Sequence, residues 1–337
     1  VIGYYVHHQG HGHLHRATAT ARAVDHPLTG LSSRPRPDGW AGDWVELADD
    51  ADPVATGDLT AHGWLHYVPA DHRGLRERMA AISSWIAATA PAAMVVDVSV
   101  EVALLARLHG VPVVSVGMPG HRPDPAHRLG YGVSDLVVAP WPREATPLLH
   151  TGGDRERLVE VGAISRYAPQ VEPVPVTAGT VLVLSGTGGG SSNALTGAAV
   201  HAAQAASAGW SWTLLSGGVR WVEDPWPALC AAHVVVSHCG QNAVAEIAAA
   251  RRPAVLVPGD RPFDEQRSTA RALRGMGLPV IVLDAWPAPA EWPQLLHRAA
   301  ALDGADWARW NDGRGADRVA ELLGSLAGSD LPGRQTA

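Results

Sequence analysis

Lysine is missing from this 337-residue chain: its 26 basic residues are all arginine. That excludes a lysine Schiff base and a lysine phosphate clamp, and leaves arginine, histidine and helix N-termini to neutralise any bound diphosphate. Cysteine is scarce too, with Cys230 and Cys239 alone, too few for a disulfide framework. There is no run of about 18 apolar residues and no signal peptide, which predicts a cytoplasmic protein without a transmembrane segment. The formal net charge of −7, with no basic stripe, argues against nucleic acid and against an anionic membrane surface. Internal repeats and low-complexity segments are absent as well. What remains is 46% hydrophobic and 18% charged, the composition of a globular protein, in a length that suits two domains.

Apolar runs alternate with helical periodicity, which predicts an α/β chain. In the first half, strands are expected over residues 1–7, 28–33, 44–47, 94–98, 111–117, 136–139 and 158–161. Helices are expected up to about residue 24, over 71–90 with Asp71 as cap, and over 100–109. Residues 118–132 read as a long loop carrying His121 and Arg122, and loops of that length are commonly functional. Residues 168–179, with Pro169, Pro173 and Pro175, read as a linker. Beyond it, strands are expected over 181–184, 212–215, 219–222, 234–237, 254–258 and 279–283, and helices over 290–302 and 305–326. Trp64 is as compatible with core packing as with a loop over a cleft.

Two stretches carry chemistry. In the first, residues 1–7 run into Gln9-Gly10-His11-Gly12-His13-Leu14-His15-Arg16. The glycines allow a sharp turn and close approach of substrate. His13 at a helix N-terminus is favoured as the neutral imidazole that a general base needs. The five histidines 7, 8, 11, 13 and 15 also raise zinc, but their spacing and company do not suit a zinc site. Asp97, an acid at the end of a buried strand, requires a partner. It could cap the helix that begins at residue 100. Asp50-x-Asp52 is a weak metal pair and reads as a solvated turn.

The second stretch is VVVSHCGQNAVAEIAAARRPAVLVPGDRPFDEQ, residues 234–266. A strand feeds the turn His238-Cys239-Gly240 and then a helix from Gln241, so unpaired amides and a positive dipole end face whatever lies above the sheet. Such a turn suits phosphate. Glu246 lies one helical turn past Asn242, where a carboxylate can accept both hydroxyls of a ribose. A second strand leads to Glu265 and Gln266, an acceptor and an amide suited to sugar hydroxyls. Ser185 to Ser192, with Gly188, Gly189, Gly190 and Ser191, is a further glycine-rich cradle between a strand and a helix.

The pattern His238-Cys-Gly240-x-Asn242-x-x-x-Glu246, followed by Pro253, Pro258 and Glu265-Gln266, resembles the donor-binding signature of nucleotide-sugar glycosyltransferases of the GT-B fold. Both the UDP-glycosyltransferase-like enzymes and glycosyltransferase family 28 carry it. Gly10-x-Gly12-His13-x-x-Arg16 is similar to the motif at the first strand-helix turn of such transferases and of nucleotide-sugar hydrolases on the same fold. The resemblance implies two Rossmann-like domains facing a cleft. An acceptor domain would span 1–164, a linker 165–179 and a donor domain 180–304, with a final helix over 305–327 returning to the first domain.

It also implies inverting, metal-independent hexosyl transfer from a nucleotide-diphosphate sugar, most readily UDP-linked, to a hydroxyl of a small-molecule or lipid-linked acceptor. No further cofactor is implied. His13 would act as base, assisted by Asp97. His238, Gly240, Gln241 and Asn242 would hold the donor phosphates with the residue 188–191 loop, Glu246 the ribose, and Glu265 and Gln266 the sugar. Arg220, Trp221 and Val222 would flank the nucleobase, while Gly12, His121 and Arg122 would face the acceptor. A nucleotide-sugar hydrolase or epimerase is the alternative, and a non-catalytic nucleotide-sugar-binding partner the third reading. The acceptor's identity, the oligomeric state and peripheral attachment to a membrane stay open.

Overall fold

The computed structural model describes residues 1–51, 55–150, 155–171, 175–185, 195–216, 222 and 224–328. In the first half the elements are β1 (Ile2–Val6), α1 (Gly12–Ala23), β2 (Leu28–Ser32), β3 (Asp43–Glu46), α2 (Arg73–Thr89), β4 (Ala93–Asp97), α3 (Val100–Leu108), β5 (Val113–Val116), α4 (Pro125–Val133), β6 (Leu136–Ala139), α5 (Thr146–Leu149) and β7 (Leu158–Glu160). The second half follows with β8 (Thr180–Ser185), α6 (Gly197–Ala206), β9 (Ser211–Ser216), α7 (Trp226–Ala231), β10 (Val234–Ser237), α8 (Gln241–Ala249), β11 (Ala254–Leu256), α9 (Glu265–Gly275), β12 (Val280–Val282), α10 (Trp292–Ala300) and α11 (Gly315–Gly328).

These strands form two wholly parallel sheets, ordered β3-β2-β1-β4-β5-β6-β7 and β12-β11-β10-β8-β9. Strands such as β1 and β4 are buried at every position, as expected of parallel strands covered on both faces. In each sheet the winding reverses once, between β1 and β4 and between β10 and β8. A doubly wound sheet offers a crevice at the carboxyl ends of its strands at such a point. Val319 and Leu323 of α11 are buried in one cluster with Ile2, Tyr4, Ala17 and Ala21, so the last helix packs on the first sheet's layer.

Several local expectations are corrected. His72, not Asp71, caps α2, its ring accepting from the Leu75 amide; Asp71 sits one residue earlier in the left-handed region at φ 56°. Residues 118–132 are not one loop, because Asp124 caps the His127 amide and Pro125 takes the first position of α4, where its missing N–H costs nothing. The segment 305–326 is not one helix: a 3₁₀ turn, Gly304–Arg309, precedes α11, and Gly313 at φ 84° separates them. Trp64 is 63% exposed and is no core residue. Of the expected strand 219–222, residues 219–221 lie outside the described residues, as does Asp52.

Candidate functional site at the two switch points

In the first sheet, the register pairs Val6 with Asp97, so the chain leaving β1 and the end of β4 emerge side by side. His13 lies in the first turn of α1, and its ring Nδ1 is 2.9 Å from Asp97 Oδ1. A carboxylate only accepts, which puts the proton on Nδ1 and leaves Nε2 as the proton-accepting nitrogen. Asp97 is fully buried and is also gripped by Arg16, whose Nε donates to Oδ2 at 3.0 Å and Nη2 to Oδ1 at 2.7 Å. Burial by itself would raise the Asp97 carboxyl, but the Arg16 guanidinium and then His13 hold it well below the usual carboxylate range.

Asp97 therefore does not cap α3. Ser99 does, accepting from the Val102 amide. Between them Val98 adopts φ 70°, a strained value for a β-branched residue, as the chain turns from the buried carboxylate to the cap.

In the second sheet, β10 runs into α8, whose N-cap Gly240 makes no side-chain cap, so its first amides stay available. The N-cap of α1, His11, makes no side-chain cap either. The two helix starts approach each other: a Cβ on Gly12 would lie 1.9 Å from Asn242 Nδ2, so glycine is what lets them meet. Their positive ends converge on one cavity of about 280 Å³. Arg16 bridges the halves, its Nη1 donating to Gln241 Oε1 at 2.7 Å, while Gln241 Nε2 is buried without a partner among the described residues. His238 Nδ1 donates to the Val257 carbonyl at 2.9 Å, which fixes its tautomer; burial lowers its pKa.

Glu246, on α8, is 6% exposed, and burial pushes its carboxyl up against the pull of Arg166, whose Nε donates to Oε1 at 2.8 Å. Gln266 accepts from the Gly259 amide at 2.7 Å. Glu265 opens α9 after two successive left-handed residues, Phe263 and Asp264. It is held from the first half by the buried Arg122. Beside that pair, the His121 amide donates to the Phe263 carbonyl at 3.0 Å, and a Cβ on Gly120 would lie 2.1 Å from that same oxygen.

The cavity of about 280 Å³ brings together Gly12, His13, Val222, His238, Gly240, Gln241, Asn242, Glu246, Glu265 and Gln266 of the residues singled out from sequence. A second cavity of about 590 Å³ shares His13 and Glu265 with it and extends into the first half past His7, His8, Tyr67 and Met79. Arg122 lines this second space, but its side chain is engaged with Glu265 and His127, and the exposed His121 lines neither cavity. Gly188, Gly189, Gly190, Ser191, Arg220 and Trp221 lie outside the described residues.

Sequence reasoning gave Arg16 no role beyond its motif and did not single out Arg166. Arg16 could have been found as the one cation spaced a helical turn from His13. Nothing local marks Arg166, whose partner is 80 residues away.

Of the histidine run 7–15, only His8 enters a trio spaced for a cation among the described residues, with Asp49 and Asp50. A second trio, His66, Asp124 and His127, is spaced for a cation, yet its hydrogen bonds do not suit one. Arg122 Nη1 donates to His127 Nε2 at 2.9 Å, so Nδ1 carries the proton and donates to Asp124 Oδ2 at 2.7 Å. A metal on Nδ1 would turn Nε2 into a second donor facing Arg122.

Residues 220–287 match the glycosyltransferase family 28 C-terminal domain. Nearly the whole chain, 96% to 98% of it, superposes on solved glycosyltransferases. The chain has the GT-B fold. Similar structures include the glycotransferase of kitacinnamycin, 17% identical with a TM-score of 0.67 over 96% of this chain and 98% of that one. MurG of Acinetobacter baumannii is 15% identical with a TM-score of 0.62 over 96% and 99%. The spinosyn rhamnosyltransferase SpnG, solved with thymidine diphosphate, is 15% identical with a TM-score of 0.64 over 97% and 100%. No curated protein matches the sequence. Among the described residues no helix is long and apolar enough to cross a membrane.

Proposed function

We propose that this protein transfers a sugar from a nucleotide-diphosphate sugar to a hydroxyl acceptor, with inversion and without a required metal. The observation that carries the reading is the shared position of His13. It stands between a cavity onto which two helix N-termini open and a larger cavity in the first half of the chain. A diphosphate suits the amides at the start of α8, and the negative charge that develops on the departing phosphate would be stabilised there, with His238 beside it. Glu246 would take the ribose, and Glu265 with Gln266 the transferred sugar.

An acceptor hydroxyl in the larger cavity would give its proton to His13 Nε2 as it attacks the anomeric carbon opposite the diphosphate. Asp97 would steady the imidazolium that results. A cavity of about 590 Å³ beside His13 favours an acceptor molecule over water, and hence transfer over hydrolysis.

A thermal-shift panel of UDP-, dTDP-, GDP- and CDP-sugars tests the donor site, since a ligand that binds the native state raises the melting temperature. One nucleotide series is expected to stabilise both the wild type and His13→Ala, with nucleotide release lost in the variant alone. No shift with any of them at about 1 mM, or unaltered turnover in His13→Ala, would overturn the reading.

A further inference from the structure

Glu246 does not stand alone in the donor cavity. Arg166, in the segment joining the two sheets, donates from Nε to Glu246 Oε1 at 2.8 Å, while Oε2 accepts no hydrogen bond from the described residues. Both residues line the cavity of about 280 Å³.

The arginine is held from several sides. Its Nη1 is 3.4 Å from His15 Nε2, and its guanidinium carbon lies 4.7 Å from the centre of the Tyr167 ring. Tyr167 in turn stacks on Trp226 at 4.3 Å and donates to Asp224 Oδ1 at 2.7 Å. An arginine so braced does not swing away on ligand binding at little cost. Its departure would also leave a carboxylate of 6% exposure without its counter-charge.

We infer that Arg166 is a specificity-determining residue that leaves Glu246 a single oxygen for the nucleotide's pentose, so the site accepts 2′-deoxyribonucleoside diphosphates nearly as well as ribonucleoside diphosphates. The inference rests on the donor site proposed above and concerns which donors it takes. A ribose diol that both carboxylate oxygens accept loses one charge-assisted hydrogen bond when the 2′-hydroxyl is removed, which weakens binding about tenfold or more. With Oε1 committed to Arg166, the remaining oxygen serves the 3′-hydroxyl that both classes of nucleotide possess. Donors built on thymidine diphosphate then come within reach alongside those built on uridine diphosphate.

The test is calorimetric titration of the full chain at pH 8 with UDP and with 2′-deoxy-UDP, a pair that differs in the 2′-hydroxyl alone. The two dissociation constants are expected within about threefold for the wild type. In Arg166→Ala, which frees Oε1, the preference for UDP is expected to widen to about tenfold. A wild-type preference of tenfold or more overturns the inference without any variant. A ratio still under threefold in Arg166→Ala removes Arg166 as its cause. Failure of UDP, 2′-deoxy-UDP, dTDP, CDP and GDP all to bind the wild type would instead remove the nucleotide-sugar reading itself.

Discussion

At the first sheet's switch point charge is handled by side chains: a histidine and a buried arginine, both bonded within 3.0 Å to a fully buried aspartate. At the second sheet's switch point a helix start whose N-cap, Gly240, has no side chain to cap it turns its main-chain amides toward the cavity. The difference follows from the tasks proposed for each. Moving a proton needs a titratable group whose tautomer is fixed, and such a group is fixed by charged neighbours. Holding an anion needs donors that stay put, and backbone amides do so without titrating. The first region should therefore be brittle to substitution and the second tolerant.

The sharpest break of the first region is Asp97→Asn. An amide in place of the carboxylate can donate to His13 Nδ1, which reverses the tautomer and takes the lone pair from Nε2. Turnover at saturating donor is expected to fall roughly 10³-fold, while UDP-sugar thermal shifts persist. Loss of the thermal shift together with turnover would instead mean collapse of the cleft.

Next in size is Arg16→Met, which leaves Asp97 buried without its main counter-charge. A loss of about 3–5 kcal/mol is expected from urea unfolding. Because Arg16 also reaches Gln241 across the cleft, the loss should be shared by both halves as one cooperative transition. A change under about 1 kcal/mol would mean that His13 alone suffices to hold the carboxylate.

A third effect comes from histidines kept neutral by burial. Burial, with nearby cations, holds His7 at about 3, His15 at about 4 and His127 at about 4. In the unfolded chain these rings take protons near pH 6.5, whereas in the folded protein they resist until about pH 4, and His7 until about pH 3. Their contribution to stability is complete above pH 6.5 and is lost as pH falls toward 4. Glu246, raised by burial, works in the opposite sense. Allowing for solvent screening, about 3 kcal/mol should disappear between pH 7 and pH 5. Urea midpoints that stay level across that range would contradict it.

How much of this was legible in the sequence depended on distance along the chain. The turn from β10 into α8 is local, and residues 234–250 alone specify strand, turn and helix. The pairing of His13 with Asp97 was one of two open readings, because a buried acid at a strand end can orient a base or cap a helix. What decided it was Ser99, two residues on, which takes the cap. The start of α4 is legible in Asp124-Pro125, although a run of polar residues around it reads as loop. Arg122 lines the larger cavity, but its contact with Glu265, 143 residues away, has no signal in the sequence. Arg166 reaches Glu246 in the same manner. Charges that pair across the cleft leave no periodic trace, since each half's pattern is satisfied without the other.

The smallest effect falls on the second region and separates its backbone from its side chains. Cys239 sits between His238 and Gly240 in the turn proposed to hold the diphosphate, where a reactive thiol would be a natural suspicion. Its side chain is 1% exposed and packs in the core cluster with Leu256 and Leu273. Burial pushes the thiol up to about 12, so it stays protonated and un-nucleophilic at neutral pH. If the turn works through its amides, Cys239→Ala should keep donor affinity and turnover within about threefold, at a cost in stability of about 1 kcal/mol. Iodoacetamide should likewise leave the folded wild type active. A tenfold loss of donor affinity in the alanine variant would assign the anion to side-chain chemistry after all and erase the contrast between the two switch points.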